Sequence, residues 1–194
     1  MFKLGLTGSI ATGKSTVLKA FADLGIPTFS SDEAVHRLYE GEAVEPLGRV
    51  FPGVVHNGRV DRGALSAHLV AHPEDLGRLE AIVHPLVRQR IRDFLIEAER
   101  AGARLAIVDV PLLFETGYDY GFDAVAVTVV DEATQRQRAM ARPGMSGEKL
   151  DAILARQLPQ AEKQRRADYV FDTAKPIRQT EAEVRALVER LGGA

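Results

Sequence analysis

Residues 8–15 read GSIATGKS, and this segment constrains the fold of the chain more than any other. It matches the phosphate-binding pattern GxxxxGK[ST] at every fixed position. The short apolar segment before it, residues 2–6, is typical of a buried parallel strand. After it, apolar residues recur at helical spacing, at Val17, Leu18, Phe21 and Leu24. The motif therefore lies in the strand, loop and helix context that a phosphate-binding loop requires.

The residue types of this loop favour the binding of a nucleoside triphosphate with Mg²⁺. Gly8 and Gly13 let the backbone curl so that successive N–H groups point at one anion, and the helix that follows adds the positive end of its dipole. Lys14 can reach between the β- and γ-phosphates, and the Ser15 hydroxyl can bind Mg²⁺. Thr16 would lie deeper, near the α-phosphate. We expect the ATP site to include Ser9, Ile10, Ala11, Thr12, Gly13, Lys14, Ser15 and Thr16.

The composition narrows the classes of protein to which the chain can belong. Its 194 residues are 45% hydrophobic, as in one globular domain with a sizeable core, and the absence of cysteine excludes disulfides and a thiol nucleophile. A net charge of −2 gives no electrostatic reason to expect nucleic acid or an anionic membrane as a partner. No apolar segment approaches the length of a membrane span, and the early phosphate motif leaves no room for a signal peptide. We therefore expect a cytoplasmic monomer.

Short apolar segments alternate with helical patterns, which predicts an α/β fold with a parallel sheet flanked by helices. The predicted strands after the first are residues 26–29, 105–110, 124–130 and 169–171. Residues 41–101 carry helical patterns throughout, so they form a helical insertion between two strands. We expect a single domain, 1–194, with its core at 1–40, 102–135 and 167–194, the insertion at 41–101 and a lid at 136–166.

Asp32 follows the second predicted strand directly. Ligands of a parallel α/β sheet gather at the carboxyl ends of its strands, so this carboxylate is well placed to orient an acceptor hydroxyl and take its proton. The alternative is that Ser31 or Asp32 merely caps the next helix. Local sequence does not separate the two interpretations.

His84 and Pro85 interrupt a long amphipathic pattern in the insertion. Because proline disfavours a helix interior, the sequence predicts a break between two helical segments there. A histidine near such a break is more often a cap or a satisfied hydrogen-bonding group than a catalytic residue. Arg62 is similarly typical of a solvated surface charge, and only a shared site would make it a phosphate ligand.

Asp109 ends the apolar segment 105–109 and is a candidate ligand of Mg²⁺. Proteins with this phosphate loop often keep a magnesium-binding carboxylate at the end of such a strand, in direct contact or through water. The alternative is a carboxylate that only caps the strand end. The pattern of a short strand followed by aspartate is too loose to decide.

Arg138 and Arg142 precede a turn at Pro143-Gly144 and follow the strand at 124–130. Arginines placed there suit a mobile lid that closes over the nucleotide and neutralises the transferred charge. A solvated helix face is the alternative. Towards the end of the chain, the spacing of Thr180 and Glu183 predicts a capping box at the start of the last helix, with Gly192-Gly193 as its stop.

Separated segments of the chain match one family together. They are GLTG followed by GKST at 5–8 and 13–16, Asp32, the pair Asp61-Arg62, LEAIVHP at 79–85, and VDVPLLFE at 108–115. In this order they resemble the dephospho-coenzyme A kinases, a family of P-loop kinases, over nearly the whole chain. The phosphate loop alone would indicate only a superfamily, whereas the last two segments are much more specific.

The resemblance implies a reaction and a set of residue roles. The γ-phosphoryl group of ATP would pass to the ribose 3′-hydroxyl of dephospho-coenzyme A, giving coenzyme A and ADP. Asp32 would deprotonate that hydroxyl, Lys14 would follow the transferred group, and Ser15 would hold Mg²⁺. Arg138 and Arg142 would close on the nucleotide. The residues implied to lie near the acceptor are Arg62, His84, Pro85, Leu112 and Glu115.

The chain departs from the family pattern at two places. Ser30-Ser31-Asp32 stands where the family usually carries Asp-Ala-Asp, so the first acid is missing. Asp172-Thr173 stands where the family often has Asp-Asn, which leaves an adenine contact there open. Two other functions compete with the one implied. A nucleoside or nucleoside monophosphate kinase would share the loop and lid, and a nucleotide-binding protein without catalysis would share the loop.

Overall fold

The computed structural model describes residues 1–192 of the chain and contains an α/β core. These residues form seven strands: β1 (Phe2–Gly8), β2 (Thr28–Ser30), β3 (Val55–His56), β4 (Arg59–Val60), β5 (Leu105–Asp109), β6 (Ala124–Val129) and β7 (Tyr169–Asp172). Five of the strands make one sheet in the order β2-β5-β1-β6-β7. The β1 strand pairs in parallel with β5 and β6, and β6 pairs in parallel with β7. The predicted α/β fold class is confirmed.

Ten α-helices occur in the same part of the chain. They are α1 (Lys14–Asp23), α2 (Ser31–Leu38), α3 (Val44–Val50), α4 (Arg62–Ala71), α5 (Leu76–Arg100), α6 (Leu113–Thr116), α7 (Glu132–Met140), α8 (Gly147–Leu154), α9 (Gln160–Arg166) and α10 (Ile177–Arg190). A short 3-10 turn, Pro73–Asp75, precedes α5.

The chain divides into two compact units. We call residues 1–29 with 95–192 the sheet unit and residues 30–94 the inserted unit. The inserted unit begins earlier than the predicted insertion at 41, since α2 groups with it.

The core of the sheet unit lies where α1 and α10 cover β1, β5, β6 and β7. Leu4 and Leu6 of β1 and Ile107 of β5 are fully buried, as expected for a strand covered on both faces. Phe21 of α1 meets Phe171 of β7 edge to face, with their ring centroids 6.2 Å apart. Aromatic pairs in this arrangement gain energy beyond the area that they bury. This packing holds the first helix, and the loop before it, on the sheet.

The inserted unit has its own small core and a two-stranded hairpin. Phe51 and Leu47 are fully buried in it. β3 and β4 pair in antiparallel register around Asn57-Gly58, whose φ values are 51° and 75°. Positive φ at both central residues defines the tight turn that joins antiparallel strands. The Asn57-Gly58 dipeptide itself predicts a turn, which is confirmed, whereas strands of two residues are too short to leave a pattern in the sequence.

The predicted helix break at Pro85 is wrong. α5 runs without interruption from Leu76 to Arg100, with Pro85 inside it. Proline removes one backbone hydrogen bond and costs about 3 kcal/mol in a helix interior. Four residues on one face of the helix are buried at helical spacing: Val83, Val87, Ile91 and Leu95. Burying side chains of this size is worth about 1.5–3 kcal/mol each, so packing outweighs the proline.

Some predicted boundaries move. α10 begins at Ile177, after Pro176, so the predicted capping box at Thr180 is wrong and Thr180 is a buried residue inside the helix. The apolar spacing of Leu150, Leu154 and Leu158 predicts a helix through Leu158, but α8 ends at Leu154. Gly192, with φ of 70°, follows the end of α10, whereas Gly193 lies outside the described residues.

Within residues 1–192, no helix is both long enough and apolar enough to span a membrane.

Candidate active site

The phosphate-binding loop connects β1 to α1 at the carboxyl edge of the sheet. Gly13 immediately precedes α1 and takes a left-handed conformation, with φ of 85°. No side chain among the described residues caps this helix end. The first N–H groups of a helix have no partner within the helix, and the helix dipole makes them attractive to anions. The start of α1 therefore has the local chemistry of a phosphate site.

Two threonine hydroxyls hold the loop in shape. The Thr12 hydroxyl donates to the Ser9 carbonyl at 2.8 Å and lies 2.7 Å from the Thr128 hydroxyl of β6. Because Thr12 has only one hydroxyl proton, Thr128 is the donor between the two. A Cβ atom on Gly8 would lie 2.2 Å from the Thr128 oxygen, so a side chain at position 8 would displace this pair. Glycine is required at position 8 for space.

Glutamine side chains bind the backbone of Ile10 on both sides. The Ile10 N–H donates to Oε1 of Gln157 at 3.0 Å, and its carbonyl accepts from Nε2 of Gln135 at 2.8 Å. Gln160 in turn donates to Gln135 at 2.9 Å. Gln157 and Gln160 lie between 136 and 166, so these contacts join the predicted lid region to the loop. Gln135 and Gln157 lie in polar stretches with no motif, and sequence reasoning gave them no role.

Lys14 and Asp109 form an ion pair beside the loop. The Lys14 Nζ lies 3.1 Å from Oδ1 of Asp109, and the side chains are 14% and 5% exposed. Asp109 is the last residue of β5 and pairs in register with Leu6 of β1, which places it next to the loop strand. Two of the predicted nucleotide and metal residues are thus brought together. A charge pair with this little solvent interacts more strongly than one on the surface.

The donor set at this edge of the sheet suits Mg²⁺. The Ser15 hydroxyl is exposed at the start of α1, and the Asp109 carboxylate lies beside Lys14. Within residues 1–192, no group of three or more His, Cys, Asp or Glu side chains could hold a metal ion without help. Magnesium in kinases is typically bound by one or two protein oxygens together with substrate phosphates and water. Ser15 and Asp109 fit that mode of binding.

Arg138 reaches the loop through Thr173. Nη1 of Arg138 donates to the Thr173 hydroxyl at 3.0 Å, and Nη2 donates to the Thr173 carbonyl at 2.8 Å. The Thr173 hydroxyl itself donates to the Thr12 carbonyl at 2.8 Å. Arg142 is exposed and follows Ala141, the C-cap of α7. Of the two predicted lid arginines, Arg138 is the one that the hydrogen bonds tie to the phosphate loop.

Glu115 belongs to a buried ion pair that sequence reasoning missed. Its Oε1 lies 2.7 Å from Nζ of Lys163 and accepts the Leu158 N–H at 2.9 Å. Lys163, in α9, is fully buried, and this burial lowers its pKa. The carboxylate of Glu115 raises the pKa of Lys163 in opposition to burial, whereas the positive charge of Lys14 lowers it further. Lys163 is surrounded in the sequence by exposed polar residues, so no apolar pattern marks it. Leu112, another predicted acceptor residue, precedes α6, the helix that carries Glu115.

In the inserted unit, Asp32 is the second residue of α2 and is exposed. The cap of this helix is Ser30, whose hydroxyl accepts the Glu33 N–H at 3.3 Å. The alternative that Ser31 or Asp32 caps the helix is therefore wrong. The cap falls one residue earlier because β2 ends at Ser30 and the helix begins at once.

The other predicted acceptor residues of this unit lie on α4 and α5. Arg62 is the first residue of α4 and is exposed, and its charge opposes the rise in the pKa of Tyr39 that burial causes. Asp61 caps the same helix by accepting the N–H groups of Gly63 and Ala64 at 2.8 and 3.0 Å. His84 and Pro85 lie inside α5, with His84 half-buried.

A parallel sheet in this order, with the complete phosphate loop between β1 and α1, defines a P-loop kinase. The sequence model of the dephospho-CoA kinase family matches residues 2–179. The chain belongs to the dephospho-CoA kinase family.

Individual relatives agree with this assignment. A dephospho-CoA kinase of Rhodopseudomonas palustris (strain BisB18) is 50% identical over 185 residues, covering 95% of this chain and 93% of the relative. The crystal structure of a protein from Thermus thermophilus superposes with a TM-score of 0.81 at 35% identity, covering 98% of this chain and 97% of the other. A dephospho-CoA kinase from Campylobacter jejuni, at 24% identity, shares the fold with a TM-score of 0.74 over 97% of this chain and 96% of the other.

Proposed function

We propose that this chain transfers the γ-phosphoryl group of ATP to the ribose 3′-hydroxyl of dephospho-coenzyme A, with Mg²⁺, giving coenzyme A and ADP. The observation that carries the proposal is the complete phosphate loop, with Lys14 3.1 Å from Asp109, in a chain that belongs to the dephospho-CoA kinase family. The loop supports the binding of nucleotide phosphates, and membership of the family supports dephospho-coenzyme A as the acceptor.

The sheet unit would bind and neutralise the phosphates of ATP. The N–H groups at the start of α1 would donate hydrogen bonds to the phosphate oxygens, and Lys14 would stay with the γ-phosphoryl group as negative charge develops. Arg138 and Arg142 would add positive charge from the lid region. Ser15 and Asp109 would hold Mg²⁺, which when bound would supply positive charge to neutralise the nucleotide phosphates. Catalysis of this type rests mainly on positioning and on charges that are already in place.

Asp32 would act as the general base. Its carboxylate takes the proton of the 3′-hydroxyl as the hydroxyl oxygen forms a bond to the γ-phosphorus, and the bond from that phosphorus to the bridging oxygen breaks to release ADP. Two observations support this role: the carboxylate is exposed, and the helix is capped by Ser30 instead. The remaining acceptor contacts would come from Arg62, His84, Pro85, Leu112 and Glu115.

The test measures ADP release by the purified protein with Mg²⁺ and ATP, and compares dephospho-coenzyme A with adenosine, AMP, CMP and no acceptor. Mass spectrometry identifies the product. We expect conversion of dephospho-coenzyme A to coenzyme A, with little ADP released in the absence of an acceptor. Turnover of a nucleoside or nucleotide in its place would refute the proposed acceptor, and ADP release that no acceptor stimulates would refute the transfer.

A further inference from the structure

Thr173 lies against the phosphate loop at the point where α1 begins. It follows the last residue of β7, is 7% exposed, and donates its hydroxyl proton to the Thr12 carbonyl. A Cβ atom on Gly13 would lie 2.9–3.0 Å from three atoms of the Thr173 side chain. The side chain of Thr173 therefore packs directly on the loop.

The backbone around Thr173 is held independently of that side chain. Its N–H donates to the Val129 carbonyl at 2.9 Å, which extends the pairing of β6 and β7 by one residue. Beyond it, the Ala174 N–H donates to the Asp172 carboxylate at 3.0 Å. The carbonyl and hydroxyl of Thr173 are thus presented from a fixed position at the end of the sheet.

Arg138 donates to both of those oxygens, through Nη1 to the hydroxyl and through Nη2 to the carbonyl. The hydroxyl has one proton, which the Thr12 carbonyl accepts, so its oxygen is left to accept from Arg138. The result is a directed chain of hydrogen bonds from the guanidinium to the loop backbone. A guanidinium has five N–H donors, and this arrangement leaves the remaining ones for a ligand.

Ordering an arginine costs conformational entropy, because its side chain is long and has several rotatable bonds. Two bonds to a single residue fix the plane of the guanidinium, so less freedom is lost when it engages a nucleotide. Charges that are already in position are also the ones most effective in stabilising a charged transition state.

We propose that Thr173 is a positioning residue that acts through Arg138, holding its guanidinium beside the phosphate loop for the nucleotide phosphates. This inference rests on the proposed function, which gives Arg138 its role toward ATP. Thr173 does not itself need to touch the nucleotide.

The experiment is a double-mutant cycle with Thr173→Val, Arg138→Met and the double variant, together with Thr173→Ser. Valine keeps the shape of threonine and removes the hydroxyl, whereas serine keeps the hydroxyl. We measure kcat and KM for ATP at saturating dephospho-coenzyme A. We expect Thr173→Val to lower kcat/KM for ATP by about tenfold, the effect of losing one hydrogen bond to a charged group. Thr173→Ser stays within about threefold of wild type.

The cycle separates a role through Arg138 from general support of the loop. If Thr173 acts through Arg138, Thr173→Val costs less than about twofold when Arg138 is already methionine, since residues that act as a unit are not additive. The same loss in both backgrounds would overturn the proposal, because it would place the effect in the bond to Thr12. Two further results would overturn the proposal. One is a kcat/KM of Thr173→Val equal to that of the wild type, and the other is a loss of kcat/KM in Thr173→Ser as large as in Thr173→Val.

Measuring ATP binding directly separates the test of Thr173 from the test of the proposed acceptor. Calorimetric titration of the four variants and the wild type with Mg²⁺ and ATP needs no acceptor. If the wild type binds ATP and leaves dephospho-coenzyme A unchanged, the proposed acceptor fails, and the same pattern of ATP affinities still supports or refutes the role of Thr173. If Thr173→Val does not fold, judged by its thermal unfolding, Thr173→Ala replaces it in the cycle.

Discussion

Lys14 and Asp109 of the sheet unit and Asp32 and Arg62 of the inserted unit are held in opposite ways. In the sheet unit, Lys14 and Asp109 are mostly buried and paired with each other, and the loop backbone is bound by threonine and glutamine side chains. In the inserted unit, Asp32 and Arg62 are exposed in the first turns of α2 and α4. The neighbouring residues Ser30 and Asp61 provide the caps, so the two candidate residues are not needed to complete their helices.

This difference separates two kinds of function. A site that stabilises developing charge works best when its groups are fixed beforehand, and burial with complete hydrogen bonding fixes them. A residue that contacts the acceptor from the protein surface needs only a stable helix that carries it. Substitutions of Lys14 or Asp109 should therefore disturb both catalysis and folding, whereas substitutions of Asp32 or Arg62 should change catalysis and leave folding intact.

The strongest test of the sheet unit is Lys14→Ala. We expect turnover to fall by about a thousandfold, because the γ-phosphoryl group loses its stabilising charge and Asp109 loses its ion-pair partner. Steady-state assays with dephospho-coenzyme A measure the effect. The control is Lys19→Ala on the same helix, since Lys19 is exposed and pairs with Asp23. Near-normal turnover of Lys14→Ala would contradict the role of Lys14.

The buried ion pair gives the largest expected effect on folding. Lys163→Met leaves Glu115 without its cation in a buried place, and breaking a buried pair from one side costs about 3–5 kcal/mol of the free energy of unfolding. Urea unfolding measures the loss. The double variant Lys163→Met with Glu115→Gln should recover part of the stability, because no charge then remains buried. An unchanged unfolding midpoint for the single variant would show that the pair does not contribute.

Asp32→Asn tests the opposite expectation for the inserted unit. We expect turnover to fall by at least about tenfold, within the range for the loss of a general base, while ATP affinity and the urea unfolding midpoint stay as in the wild type. Glu33→Gln is the matched control, since Glu33 is the exposed neighbour on α2. Equal turnover of the two variants would remove Asp32 from the mechanism, and a lowered midpoint would break the comparison between the units.

The smallest effect is expected at the cap of α4. The N–H groups of Ala64 and Gly63 lower the pKa of Asp61 below its ordinary 3.8, so the charged carboxylate is favoured in the folded state. Its contribution to stability is present above about pH 3.8 and is lost as the pH falls through the lowered pKa.

Asp61→Asn should leave the urea midpoint at pH 7 nearly unchanged, since asparagine caps helices about as well as aspartate. Its stability should then fall less steeply than that of the wild type below pH 4. If the free energy of unfolding of the two proteins falls equally steeply below pH 4, this role of Asp61 is excluded.

Sequence patterns predict those parts of this molecule whose physics is local. The loop, the helix after it and the position of Asp109 at a strand end follow from residue types that are adjacent in the chain. The uninterrupted helix through Pro85 does not, because the burial that outweighs the proline comes from tertiary packing. The burial of Lys163 could not be predicted for a similar reason, since its partner Glu115 is distant in the sequence and its neighbours are polar. The role of Ser30 as the cap of α2 was not predicted, because the position of the cap depends on where β2 ends.

The contact between Gly8 and the hydroxyls of Thr12 and Thr128 also constrains how this sequence can change over generations. An alanine at position 8 could be accommodated only after the Thr128 hydroxyl had been replaced and the Thr12 hydroxyl, 2.7 Å from the added Cβ atom, had shifted. That replacement would in turn take a hydrogen bond from Thr12. The first glycine of the phosphate motif is thus tied to a residue on another strand, and a substitution at position 8 should arise only together with one at position 128.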